Sequence, residues 1–278
     1  MSTPSAAQPV LCVSHYKKVY GDRVVVPDLS LTVNAGDIFG YIGHNGAGKT
    51  TLIRSIVGAQ SIDGGAITVC GHNVATEPVA TKSRIAYVPD NPDIYEFMTG
   101  IEYLNYIADL FAVPADVRRA RIEDYAERLE ITSALGNKIG SYSHGMRQKL
   151  VLIGAFVHEP EFLVLDEPFV GLDPAAAHEL KQMMAQVASR GSAVFFSSHV
   201  LEVVEKLCNR VAILRAGELL ACGTTDEVRG DASLEDVFMT LVMGEDEASG
   251  EKAVEDAKAA ASTAAGEGKA GGAHNDER

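Results

Sequence analysis

The sequence contains no tryptophan, and its tyrosines and phenylalanines make up only 6% of 278 residues. Cysteine is also scarce. Cys12, Cys70, Cys208 and Cys222 form no C-x-x-C pair and no metal-ligand spacing, which excludes a zinc ribbon or a disulfide scaffold and fits reduced, mostly buried thiols. Positive charge is in short supply: 24 Lys and Arg stand against 38 Asp and Glu, a net charge of −14 without any basic stripe, so no nucleic-acid surface is expected. Long apolar runs are missing too. The longest, residues 150–157, is far too short to cross a bilayer, and MSTPSAAQPV has neither the positive start nor the apolar core of a secretory signal. The expectation is a soluble, cytosolic chain. What remains, 46% hydrophobic and 22% charged residues, is ordinary globular composition, enough for one large core or two modest ones.

Against that background, GHNGAGKT at residues 43–50 stands out. It follows an apolar run at 38–42 and precedes TLIRSIVGA, so it lies where a strand hands over to a helix. The spacing G-x-x-x-x-G-K-[ST] lets the backbone N–H groups of Gly43, Asn45, Gly46, Ala47 and Gly48 turn inward around a phosphate. Lys49, Thr50 and Thr51 open the helix whose N-terminus adds positive potential. Lys49 would reach the terminal phosphates and Thr50 would offer its hydroxyl to Mg²⁺. A plain Gly/Asn turn has the same composition, and the loop alone leaves a kinase, a GTPase, a helicase or a transport motor open.

The rest of the chain narrows this. VLCVSHY, VVV and LSLTV read as short strands of a small antiparallel sheet, and AITVCG and IAYVPD as further strands. From about 99 to 135 the apolar spacing turns helical, and FLVLD, a helix from Pro174, the strand SAVFFSS, a helix from His199 and a closing hairpin VAILRAGELLACG follow. Strands alternating with helices imply a parallel α/β core with the helical block inserted in it. In FLVLDEP a buried strand delivers Asp166 to its loop end, where a carboxylate can hold Mg²⁺, and Glu167 is placed to act as general base on water. From residue 244 the composition falls to Ala, Gly, Glu and Lys, nine acids and four bases among residues 245–278, and reads as a disordered acidic tail.

A third motif decides among the phosphate machines. SYSHGMRQK at 141–149 precedes an apolar helix, and its core YSHGM, residues 142–146, resembles the LSGGQ signature of the ABC (ATP-binding cassette) ATPases. With GHNGAGKT, FLVLDEP and GLDP in matching order, the resemblance covers residues 10–243. It implies a P-loop NTPase (RecA-like) parallel-sheet core with an antiparallel β subdomain and an inserted α-helical subdomain at about 92–158. Residues 1–9 would be a flexible N-terminus.

It further implies that ATP and Mg²⁺ are bound and that a second ATPase subunit, in a homodimer, closes Ser143 and the Gly145 N–H over the γ-phosphate held by the first. Ser143 is a helix N-cap in either case. By the same resemblance Asp173 communicates across the dimer, His199 contacts the γ-phosphate and Tyr20 stacks on adenine. An integral-membrane permease is the expected partner, reached from the cytoplasmic face of the cell membrane. Tyr95, Phe97 and Met98 are expected to line the groove for its coupling helix. The ending SLEDVFMTLV and YSHGMRQK look like ATPase subunits of bacterial ABC-2-type exporters, which favours export.

The chain departs from the family pattern in three places. Asp90 stands where the family has Gln and is expected to approach Mg²⁺ and to act on Glu167 by like-charge repulsion. His144 replaces the first signature Gly and Met146 its Gln. Two other classes stay open: a soluble ABC ATPase acting on ribosomes or nucleic acid, and a regulatory module that uses ATP only to dimerise.

Overall fold

The computed structural model describes residues 9–243, so the acidic tail and all but the last residue of the 1–9 segment lie outside the described residues. The chain begins with two long strands, β1 (Pro9–Tyr20) and β2 (Arg23–Asn34), then β3 (Ile38–Gly43) and α1 (Lys49–Ile56). Next come β4 (Gly64–Val69), β5 (His72–Asn73), α2 (Pro78–Lys82) and β6 (Ile85–Val88). Three helices follow: α3 (Gly100–Leu110), α4 (Ala115–Arg128) and α5 (His144–Val157). The remainder alternates β7 (Phe162–Asp166), α6 (Pro174–Ser189), β8 (Ala193–Ser198) and α7 (Leu201–Leu207). It closes with β9 (Arg210–Arg215), β10 (Glu218–Thr224), α8 (Thr225–Arg229) and α9 (Leu234–Met243).

Six strands form the central sheet in the order β10-β9-β3-β8-β7-β6, all parallel except for the antiparallel pair β9 and β10. Both faces are covered, and the two-residue period of the strands divides their side chains between two cores. Ile38, Ile42, Leu163, Leu165, Val194 and Phe196 face the helices α3 to α6. Phe39, Tyr41, Phe162, Val164 and Phe195 face α1 and the second sheet. That second sheet is antiparallel, with order β2-β1-β4-β5.

Two expectations about boundaries are corrected. VVV and LSLTV are one strand rather than two: Pro27 lies exposed inside β2, an edge strand, where a residue without an N–H costs the sheet no ladder bond. The pairing with β1 shifts register on either side of it, between Tyr16↔Leu29 and Lys18↔Val26. The helix expected from His199 begins at Leu201 instead: Val200, at φ −95° and ψ 89°, is outside the helical region and is its N-cap.

Local signals fix several helix ends. Thr99 caps α3 in a reciprocal capping box with Glu102, and Asp173 caps α6 ahead of Pro174 in its first turn. Ser143 caps α5 by accepting from the Met146 N–H.

Candidate functional site

Three adjacent parallel strands, β3, β8 and β7, end together at one edge of the central sheet, and their last residues build the site. At the end of β3 the chain turns through Gly46 and Gly48, at φ of 84° and 101°, conformations that favour glycine. Gly48 then serves as N-cap of α1 without any side-chain cap. The first-turn N–H groups of α1 therefore keep their donor capacity for an anion. The loop is braced from outside: the Gly217 N–H donates to the Ala47 carbonyl at 2.9 Å.

Lys49 is buried, and its Nζ donates back to the Gly43 carbonyl at 2.6 Å, which centres the charge over the loop. Burial lowers its pKa, opposed by the nearby Glu167 and Asp166 carboxylates. Its Nζ lies 3.9 Å from Glu167 Oε1. Thr50 Oγ1 donates to Asp166 Oδ2 at 2.9 Å, linking the start of α1 to the end of β7.

Glu167 follows Asp166 with a φ of 50°. This left-handed turn, costly for a residue with a side chain, directs its carboxyl toward the loop. Its Oε2 lies 2.8 Å from His199 Nδ1, just past the end of β8. Lys49, Thr50, Asp166, Glu167 and His199 thus converge on one point.

The expected residues do not all gather there. Asp90 is exposed and its Oδ1 accepts from the Asn91 N–H at 2.9 Å. Among the described residues no hydrogen bond or ion pair joins it to Thr50, Asp166 or Glu167. Tyr20, half exposed at the end of β1, donates to Gln60 Oε1 at 2.6 Å. Gln60 in turn donates to the Thr51 carbonyl, so Tyr20 is tied to the first turn of α1. Asn45 and Gly46 lie exposed on the loop, and Gly43 and Ala47 are buried under it. Ser143, Gly145 and Asp173 form a separate group, and nothing among the described hydrogen bonds or ion pairs links them to residues 43–50. Asp173 pairs with Lys149 at 2.7 Å. That bond, with the Ala176 N–H, holds its carboxyl below the usual range.

Sequence reasoning missed Ser197. It is fully buried, donates to Asp166 Oδ1, and accepts from the Glu167 N–H at 3.1 Å. The only signal for it is the register of β7 and β8, which sets Asp166 opposite Ser197. Phe238 of α9 was also missed; its ring packs against His44 of the loop with centroids 5.1 Å apart.

Comparison with known proteins agrees with this geometry. A family profile described as "ABC transporter" matches residues 26–170. An uncharacterized ABC transporter ATP-binding protein of Bacillus subtilis, YdbJ, is 38% identical over 77% of this chain and 69% of its own length. The Nod factor export ATP-binding protein I of Burkholderia orbicola is 34% identical over 74% of this chain and 68% of its own. A solved structure of an ATP-binding subunit of an ABC transporter superimposes with a TM-score of 0.81 at 32% identity, covering 84% of this chain and 99% of that one. With the Gly43 loop, the Asp166–Glu167 pair and the Ser143 helix arranged as described, the chain belongs to the ABC transporter family, as an ATP-binding, ATP-hydrolysing subunit.

Proposed function

We propose that the chain pairs with a second copy around two ATP molecules and drives export through a separate integral-membrane permease, working at the inner face of the cell membrane. The observation that carries this is a division within the chain. Lys49, Thr50, Asp166, Glu167 and His199 make half of a phosphate site, while Ser143 and Gly145, the other half by resemblance, are held elsewhere by α5. A second copy supplies what the first cannot.

In this reading Lys49 clamps the terminal phosphates and the N–H groups of the loop hold their oxygens. Thr50 Oγ1 and Asp166 Oδ2, already in contact, are the groups that would hold Mg²⁺, which would neutralise charge on the phosphate oxygens. Glu167 takes the proton of the attacking water, and His199 holds its second oxygen in place. Ser197 fixes the Asp166 carboxylate and the Glu167 backbone through one hydroxyl. Tyr20 offers an exposed ring to the adenine, and Asp173 reaches toward the second copy.

No helix among the described residues is long and apolar enough to cross a membrane. In this reading the pathway is a separate permease. The structure offers a further candidate for its docking site beside the residues expected to line it. A cavity of about 330 Å³ opens between α1, β6, α3 and α5, lined by Val57, Tyr87, Tyr103, Ile107 and Gly154 among others. Tyr95, Phe97 and Met98 are not part of its lining. Tyr95 and Phe97 stand exposed beside Tyr106, and Met98 packs on the core. We assign the coupling helix to the cavity. The resemblance to an export ATPase favours the outward direction.

The test is to purify the tagged Glu167→Gln chain from detergent-solubilised cells with ATP and Mg²⁺. A multi-span membrane protein in about equal amount is expected, and its loss on Gly154→Trp, which fills the cavity, is expected with it. Ribosomes or nucleic acid as the companion would contradict the reading.

A further inference from the structure

The start of α5 is fastened to the loop that follows Glu167 at four points. The His144 ring lies where a side chain at Gly171 would go: a Cβ there would be 2.5 Å from His144 Cδ2 and 2.9 Å from Nε2. In return, a Cβ on Gly145 would stand 2.6 Å from the Gly171 carbonyl oxygen. Gln148, buried, donates to the Pro168 carbonyl at 3.4 Å, and Lys149 pairs with Asp173. Glu167 has a φ of 50°, a conformation costly for a residue with a side chain, and Gly171 a φ of 80°, which glycine adopts freely.

The loop therefore has two attachments. At one end Glu167 touches Lys49 and His199, the groups that meet the chain's own nucleotide. At the other, residues 168–173 touch the turn that presents Ser143 and Gly145 to the nucleotide of a second copy.

We propose that His144 is a positioning residue: packed against Gly171, it locks residues 143–145 to the loop bearing Glu167, so that each chain's own site sets the surface it offers its partner's ATP. The inference rests on the paired-ATPase reading above. It gives the departure from the signature glycine a use, because a glycine at 144 would leave the space over Gly171 unfilled. The contact is one of packing, an otherwise exposed ring set against the Gly171 backbone.

The experiment compares the full-length wild type with His144→Ala, His144→Phe, Gly171→Ala and the double variant His144→Ala/Gly171→Ala. Two readouts are taken: turnover as a function of ATP, and binding of a fluorescent ATP analogue at protein concentrations too low for pairing. His144→Ala is expected to lower turnover roughly tenfold and to bring the Hill coefficient from above one to about one. Analogue binding by the single chain is expected to stay within about twofold, since the Gly43 loop is untouched. His144→Phe, with a flat ring of similar size, is expected to keep wild-type turnover and cooperativity. The double variant is expected to lose no more than the worse single variant, because both remove the same contact.

Wild-type behaviour in His144→Ala would overturn the inference. So would losses that multiply in the double variant, or a His144→Phe chain as impaired as His144→Ala. The His144 variants decide the matter even where Gly171→Ala does not fold. A wild type that neither pairs in ATP nor shows cooperativity would overturn the paired-ATPase reading itself, a result distinct from a cooperative wild type with an equally cooperative His144→Ala.

Discussion

Ser197 joins one carboxylate to one backbone amide at the neighbouring strand's end: its hydroxyl donates to Asp166 Oδ1 and accepts from the Glu167 N–H. Ser197→Ala leaves a buried carboxylate oxygen and a buried N–H without their partner, at a cost of about 1–3 kcal/mol in stability measured by chemical denaturation. Turnover is expected to fall further than stability implies, because Glu167 loses its anchor. Glu167→Gln removes the base itself and is expected to cut hydrolysis roughly 10² to 10⁴-fold with ATP binding retained, read by turnover and by equilibrium binding. Asp90→Gln tests the residue that stands apart. Its only described hydrogen bond is to the next residue's N–H, so Asp90→Gln is expected to leave steady-state turnover little changed. Lys49, Thr50, Asp166 and Glu167 were readable because each sits at a fixed offset in a short local motif. Ser197 was not, because its role comes from strand pairing across 31 positions, which no local pattern carries.

At the scale of elements, α5 ends beside a histidine whose state is set by packing. His158 stacks on Phe111 with ring centroids 3.6 Å apart, and burial pushes its pKa down to about 4. A depressed histidine is neutral in the native chain and takes a proton more readily when unfolded. Its stabilisation is therefore complete above the ordinary value of about 6.5 and is lost as the pH falls toward about 4. Between pH 7 and pH 5 the loss is expected to be about 2 kcal/mol in denaturation experiments, and His158→Phe is expected to flatten that slope. The parallel strands and α6 were legible in the sequence, since buried runs and an Asp-Pro cap are local. The division of β2 at Pro27 was misread because only the strand order reveals that β2 is an edge. The cavity was not foreseen for a similar reason: exposed aromatics at 95 and 97 are local in the sequence, whereas the cavity is assembled from four separate elements.

For the molecule as a whole, α9 links the end of the described chain to the phosphate loop. Phe238 packs on His44, and Arg215 donates to the Leu241 and Val242 carbonyls at the helix end. Phe238→Ala is expected to cost about 3 kcal/mol in stability and to weaken ATP binding, since it removes both a core ring and the wall behind the loop. The account stands or falls on the second copy. The measurement that tests it most directly is sedimentation of the purified Glu167→Gln chain with ATP and Mg²⁺, beside the same chain with ADP. Two chains per particle in ATP and one in ADP is the predicted result; a single chain in saturating ATP at every concentration would contradict it.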